Sequence, residues 1–233
     1  MATGNIDTVL FDFDGTIMNT NDIIISSWQH AFLELTGQEG SLEEIKRSFG
    51  ERLDDTVRRF FPDVNPEDVM EAYRSFHYDR FAESISLFAG IAELLERLKS
   101  EGYAMGLVTA RMLKTTKVGM DKYGLDRYFN AVVSVEDTAN PKPAPDPILL
   151  CLERLGKEPR QAIMVGDTKH DIQSARAAGV TASVLVGWSL AVPPGERGGS
   201  EGPDFVIDEA DGLMDVLSGL NGQGAMEERN ERA

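Results

Sequence analysis

Apolar residues run without alternation through Thr8-Val9-Leu10-Phe11, and the chain then turns polar at Asp12-Phe13-Asp14-Gly15-Thr16. Such a run, bounded by a turn signal, predicts a strand buried on both faces, as in a parallel sheet covered by helices. The rhythm then changes to helical spacing. Ile24, Trp28, Ala31, Phe32 and Leu35 repeat at that spacing, with Gly37 as the stop. Ser41 with Glu44 reads as a capping-box pattern before Ile45 and Phe49, and Asn65-Pro66-Glu67-Asp68 opens a further helix. The stretch from Met18 to Leu87 therefore predicts a small helical bundle.

From Gly90 strands and helices alternate. The pattern predicts helix 91–100 with Gly102 as stop, strand 104–108, helix 113–123, strand 131–135, helix 147–155, strand 162–165, helix 171–178 ending at Gly179, and strand 182–186. That alternation implies a doubly wound, Rossmann-like parallel α/β sheet with right-handed crossovers, interrupted by the helical insert. The expected organisation is an α/β core of residues 1–17 and 88–220, a helical cap of 18–87 and a flexible polar tail of 221–233. The Gly- and Pro-rich segment 192–203 is a second segment expected to be mobile.

Composition narrows the classes of function. With 233 residues and 42% hydrophobic content the chain supports a substantial core plus an insert. A formal charge of −16 opposes attraction to nucleic acid or an anionic membrane. No apolar run is long enough to cross a bilayer, the first residues lack a basic-then-apolar leader, and the single cysteine, Cys151, excludes an internal disulfide framework. A cytoplasmic protein, monomeric or homodimeric, is the expectation. The acidic field adds a constraint: an anionic substrate must be met by a few well-placed cations or a metal.

The candidate chemistry lies at the strand ends. Asp12 and Asp14 are two residues apart, so their side chains share a face while the chain stays extended, and Gly15 permits the turn that follows. Thr109 follows the next central strand, Lys142 lies in the Pro141-Lys142-Pro143-Ala144-Pro145 loop, and Gly166-Asp167-Thr168-Lys169-His170-Asp171 follows a third strand. Carboxyl ends of parallel strands share one rim, where open α/β sheets bind ligands.

In this order the residues resemble the motifs of the haloacid dehalogenase superfamily of phosphatases, and the insert resembles its helical cap. The resemblance extends from Ile6 to Asp208. Within that superfamily, Asn19-Thr20-Asn21, Tyr73-Arg74-Ser75-Phe76 and Pro203-Asp204-Phe205 resemble the cytosolic inorganic pyrophosphatases close to phosphoglycolate phosphatase. Ala110-Arg111 departs from the Asn-Lys or Thr-Lys common in relatives.

The resemblance implies Asp12 as nucleophile and Asp14 as general acid and base, the latter with a raised pKa. It further implies Thr109 and Lys142 on the transferring phosphoryl group, and Mg²⁺ held by Asp12, Asp167, the Asp14 backbone carbonyl and, partly through water, Asp171. Arg111 is the candidate for a second phosphate, with Ala110 beside it and Arg52 a cap residue equally readable as an exposed helix start. A small phosphorylated substrate follows, pyrophosphate first and 2-phosphoglycolate second. A phosphosugar mutase would share the first step, and a phosphate-responsive switch protein would have no need of Asp14. His170 reads as a group that orients substrate or as an exposed helix-start histidine. Cys151, Trp28 and Phe32 read as core.

Overall fold

The computed structural model describes residues 5–231, with side chains through Gly222. The predicted first strand is β1 (Thr8–Phe11). It lies between β4 (Ala104–Val108) and β6 (Ala162–Gly166) in a six-stranded sheet of order β5-β4-β1-β6-β7-β8, completed by β5 (Ala131–Val133), β7 (Ala182–Val186) and β8 (Phe205–Ile207). Every pairing in this sheet is parallel.

The side-chain alternation of the strands sorts the core into two layers. Val9, Phe11, Met105, Leu107, Ile163 and Val165 pack with α5 (Ile91–Ser100), α6 (Leu113–Tyr123) and α9 (Gly212–Glu231). Leu10, Val108, Val133 and Met164 pack instead with α7 (Asp146–Leu155) and α8 (Lys169–Ala178), where Cys151 is fully buried as expected. Both faces of the sheet are thus covered, which is why its strands read as continuous apolar runs.

Between β1 and α5 the chain leaves the sheet through β2 (Met18–Asn19) and returns through β3 (Ser86–Leu87), which pair antiparallel. Between them lie α1 (Asn21–Thr36), α2 (Leu42–Arg47), α3 (Leu53–Phe60) and α4 (Pro66–Ser84). These helices have their own apolar cluster, built on Trp28, Val57, Phe61, Val69 and Tyr73. Trp28 meets Phe60 edge-on at 5.0 Å and Tyr73 at 4.6 Å, pairs worth about 0.5–1.5 kcal/mol each beyond burial. Ser41 caps α2 through Glu44 N, and Asn65 caps α4 through Glu67 N.

Several boundaries differ from the sequence reading. The fifth strand stops at Val133, not 135, because Asp137 Oδ2 accepts from Ser134 N and Oγ and withdraws that amide from the ladder. β8 and α9 lie beyond the last predicted strand. The expected flexible tail begins inside α9, where Asn221 bonds both Ile6 N and Ile6 O and ties the helix to the start of β1. Residues 232–233 of that tail lie outside the described residues. In the 192–203 segment, Arg197 donates to Val192 O and Gly187 O, and Lys169 pairs with Glu196 at 2.8 Å.

Candidate active site

Register brings the site together. Phe11 stands level with Leu107 on one side and Val165 on the other, so the next residues of the three strands, Asp12, Val108-Thr109 and Gly166-Asp167, emerge side by side. This is the point where the strand order reverses about β1, the usual ligand position in such sheets. Asp12, Asp14, Arg52, Ala110, Arg111 and Asp167 lie on the wall of one cavity of about 400 Å³. Thr109, Lys142 and Asp171 reach it through these residues.

Lys142 Nζ is buried and donates to Asp12 Oδ1 at 2.6 Å, Asp171 Oδ1 at 2.6 Å and Val108 O at 3.0 Å. Burial disfavours its charge, but the two carboxylates outweigh that and raise its pKa. Asp171 Oδ2 accepts from Thr168 N and Oγ1, while Thr168 Oγ1 caps Asp171 N in return. The helix-capping and functional readings of that aspartate therefore coexist. Thr109 Oγ1 accepts from Arg111 N.

The donor set fits a hard divalent cation. Oxygens of Asp12, Asp167 and Asp171 lie within 4.8 Å of one another in a buried cluster. Asp167 Oδ2 accepts from Ser189 Oγ at 2.5 Å, while its buried Oδ1 has no hydrogen-bond partner. Burial, with mutual repulsion, pushes Asp167 well up; Asp12 goes to about 7, raised by burial, Asp171 and Asp14 and opposed by Lys142. One lysine does not neutralise three carboxylates, and an oxygen-seeking cation would complete the balance.

Arg111 bears on two expectations. Its Nε donates to Asp14 Oδ1 and Oδ2 at 3.1 and 2.9 Å, and its Nη2 to Oδ1 at 2.8 Å. Burial pushes the Asp14 carboxyl up, but the guanidinium charge and hydrogen bonds overcome it and hold the group below its ordinary value. Of the two carboxyls after β1, Asp12 is raised and Asp14 is lowered. Arg111, expected on a second phosphate, is committed to Asp14 and lies over the Phe81 ring at 4.4 Å.

Other residues join the site without having been singled out. Arg74 lines the cavity with its Nε buried and unbonded. His77 bonds Arg111 at 3.1 Å. Arg52, which the sequence did offer as a candidate, lines the cavity with a long 3.8 Å contact to Asp54. Among the sequence candidates, His170 is not on the cavity wall. Trp28 belongs to the helical core, as expected, and also reaches the cavity. Gly50, at φ +80°, seats the loop between α2 and α3 on the sheet domain: a Cβ there would lie 2.7 Å from Thr168 Cγ2.

The chain has clear relatives among known proteins. Over 218 residues the chain is 35% identical to the pyrophosphatase PpaX of Bacillus pumilus, covering 93% of this chain and 99% of that one. It is 36% identical over 219 residues to the PpaX of a Bacillus cereus strain, covering 93% and 98%. The crystal structure of a predicted phosphoglycolate phosphatase from Haemophilus somnus shares the fold, with TM-score 0.80, 22% identity and 91% and 98% coverage. The profile of the haloacid dehalogenase-like hydrolases matches residues 9–185, which run from within β1 to within β7. On that match, and on relatives aligned over nearly its whole length, the chain belongs to the haloacid dehalogenase-like hydrolase family.

Proposed function

We propose that the protein is a Mg²⁺-dependent phosphohydrolase that hydrolyses inorganic pyrophosphate through an aspartyl-phosphate on Asp12. Residues 18–87 serve as the cap, 1–17 and 88–220 as the core. In the first step an Asp12 carboxylate oxygen attacks phosphorus in line, the bridging P–O bond breaks, and orthophosphate leaves with the electron pair. In the second, water attacks the same phosphorus, Asp14 takes its proton, and Asp12 is released. Lys142 holds Asp12 in place and sets a positive charge beside the group in transfer. Thr109 supplies a buried hydroxyl next to it.

Asp12, Asp167 and Asp171, with the Asp14 backbone carbonyl, would hold the Mg²⁺. When bound, the ion offsets carboxylate charge and polarises phosphoryl oxygens. Arg52 and Arg74, on the cavity wall, take the second phosphate in place of Arg111.

The grip of Arg111 on Asp14 carries the choice of an anhydride over a monoester. A guanidinium only donates, so both Asp14 oxygens are engaged as acceptors, the form suited to a base. A leaving orthophosphate that keeps one proton departs as HPO₄²⁻, a far weaker base than an alkoxide, and needs no proton donor. The hydroxyl left by a monoester, with a pKa nearer water's value of about 16, needs one. Relatives at 35% identity that are named pyrophosphatases support the same substrate. The test is the ratio of kcat/KM for pyrophosphate and 2-phosphoglycolate with Mg²⁺. A ratio of about 10² or more supports the reading; parity removes the substrate assignment while leaving the phosphatase chemistry.

A further inference from the structure

Behind Arg111 runs a chain of hydrogen bonds that leaves the core and ends in the helical layer. Arg111 Nη1 lies 3.1 Å from His77 Nε2 on α4, and His77 Nδ1 lies 3.1 Å from Ser27 Oγ on α1. Ser27 Oγ donates to Ile23 O at 2.5 Å. Ser27 and His77 are buried, and Arg111 is nearly so.

Donor counting fixes every proton. A guanidinium only donates, so His77 Nε2 accepts. The Ser27 proton is already given to Ile23 O, so Ser27 Oγ accepts and His77 Nδ1 donates. His77 is therefore neutral, in the Nδ1–H tautomer. The ring is also held in plane: Tyr73 stacks on it at 5.3 Å and 17°, and Phe81 lies against it at 5.1 Å and 30°. Phe81 is in turn the ring under the Arg111 guanidinium.

We infer that His77 and Ser27 are positioning residues that fix the Arg111 guanidinium on the Asp14 carboxylate, so that the docked cap aims the group that activates water. Arg111 presents Nε and Nη2 to Asp14 and is steered from its remaining edge, at Nη1, by a cap acceptor. With that acceptor gone, Nη1 is a buried donor without a partner, and the guanidinium is drawn toward other oxygens in the cavity. A phosphorylated substrate in the cavity would offer such oxygens. Binding then stays intact or tightens while turnover falls. The inference rests on the phosphohydrolase reading for the role of Asp14 and for its kinetic assay; the hydrogen-bond network itself does not.

His77→Gln and His77→Leu, each in wild-type and Arg111→Met backgrounds, test it. Gln carries an acceptor and a donor across one carbon, as the imidazole does; Leu carries neither. On pyrophosphate with saturating Mg²⁺, His77→Leu lowers kcat about 10- to 100-fold with KM changed less than about 3-fold, whereas His77→Gln stays within about 5-fold of wild type. In the Arg111→Met background His77→Leu changes kcat less than about 2-fold, because its route to Asp14 is already cut. Equal losses in both backgrounds, or Gln as impaired as Leu with folding intact, overturn the inference. An activity-independent readout separates this from failure of the proposed function: ¹⁵N NMR of the His77 ring must show Nδ1–H with an accepting Nε2. The Nε2–H tautomer refutes the network whatever the substrate proves to be.

Discussion

A buried histidine locked in the neutral form makes the fold sensitive to acid in a calculable way. Burial pushes His77 down from 6.5 to about 3, and the Arg111 charge adds to that against a weaker opposing pull from Asp14. The other titratable groups near the ring are Tyr73, stacked on it, and Tyr78. Folded His77 stays neutral down to about pH 3, while the unfolded chain takes up a proton below 6.5, so stability is lost as pH falls through that window. At pH 5.0 the unfolded state gains by the factor 1 + 10^1.5, roughly 30, which is about 2 kcal/mol. Urea unfolding of wild type and His77→Gln at pH 7.5 and 5.0 isolates this contribution, since the other groups are common to both proteins. Wild type should lose about 2 kcal/mol more than His77→Gln between the two values. An equal loss in both refutes the buried neutral imidazole.

The site and the packing around it make further predictions. Adding Mg²⁺ raises the unfolding midpoint, by about 2.7 kcal/mol of stability at one hundred times its dissociation constant, and Asp167→Asn weakens that response; scanning calorimetry with and without chelator reads both. Gly50→Ala puts a Cβ 2.7 Å from Thr168 Cγ2 at a residue with φ +80° and lifts the cap loop off the core. Its KM for pyrophosphate should rise several-fold, with a stability loss of about 1 kcal/mol or more. Burial pushes the Cys151 thiol to about 12, so a thiol reagent at pH 8 should label the protein only after denaturation.

The parts of the fold legible in the sequence are those where one local pattern decides. The unalternating run of β1 and the alternation of strands and helices after Gly90 marked the parallel sheet, and Gly179 marked the end of α8, because burial on both faces and a left-handed helix end each leave a local trace. Asp12, Lys142, Asp167 and Asp171 met as expected because parallel strand ends share a rim. The pairing of Arg111 with Asp14 was illegible for the opposite reason. The two are 97 positions apart, and nothing local distinguishes an arginine that grips a substrate phosphate from one that grips a carboxylate.

His77 had a signal that went unused. Val69, Tyr73, His77 and Phe81 form the buried stripe of α4, and a histidine on an apolar stripe must find partners inside. Ser27 sits likewise between Ile23 and Ala31 on α1. Ser189 had no such signal, since it stands in an irregular loop after β7. The C-terminal α9 was hidden by the glycines and Asn221 in its sequence, residues of low helical propensity that packing on β1 overrides.

The central claim is that Asp12 is the nucleophile of a site built for two adjacent phosphates. The most direct test measures Mg²⁺-dependent orthophosphate release from pyrophosphate and 2-phosphoglycolate by wild type and Asp12→Asn. The account predicts that wild type favours pyrophosphate by about 10² or more in kcat/KM and that Asp12→Asn, folded to the same thermal midpoint within a few degrees, is silent on both. Retained turnover in Asp12→Asn would contradict the account.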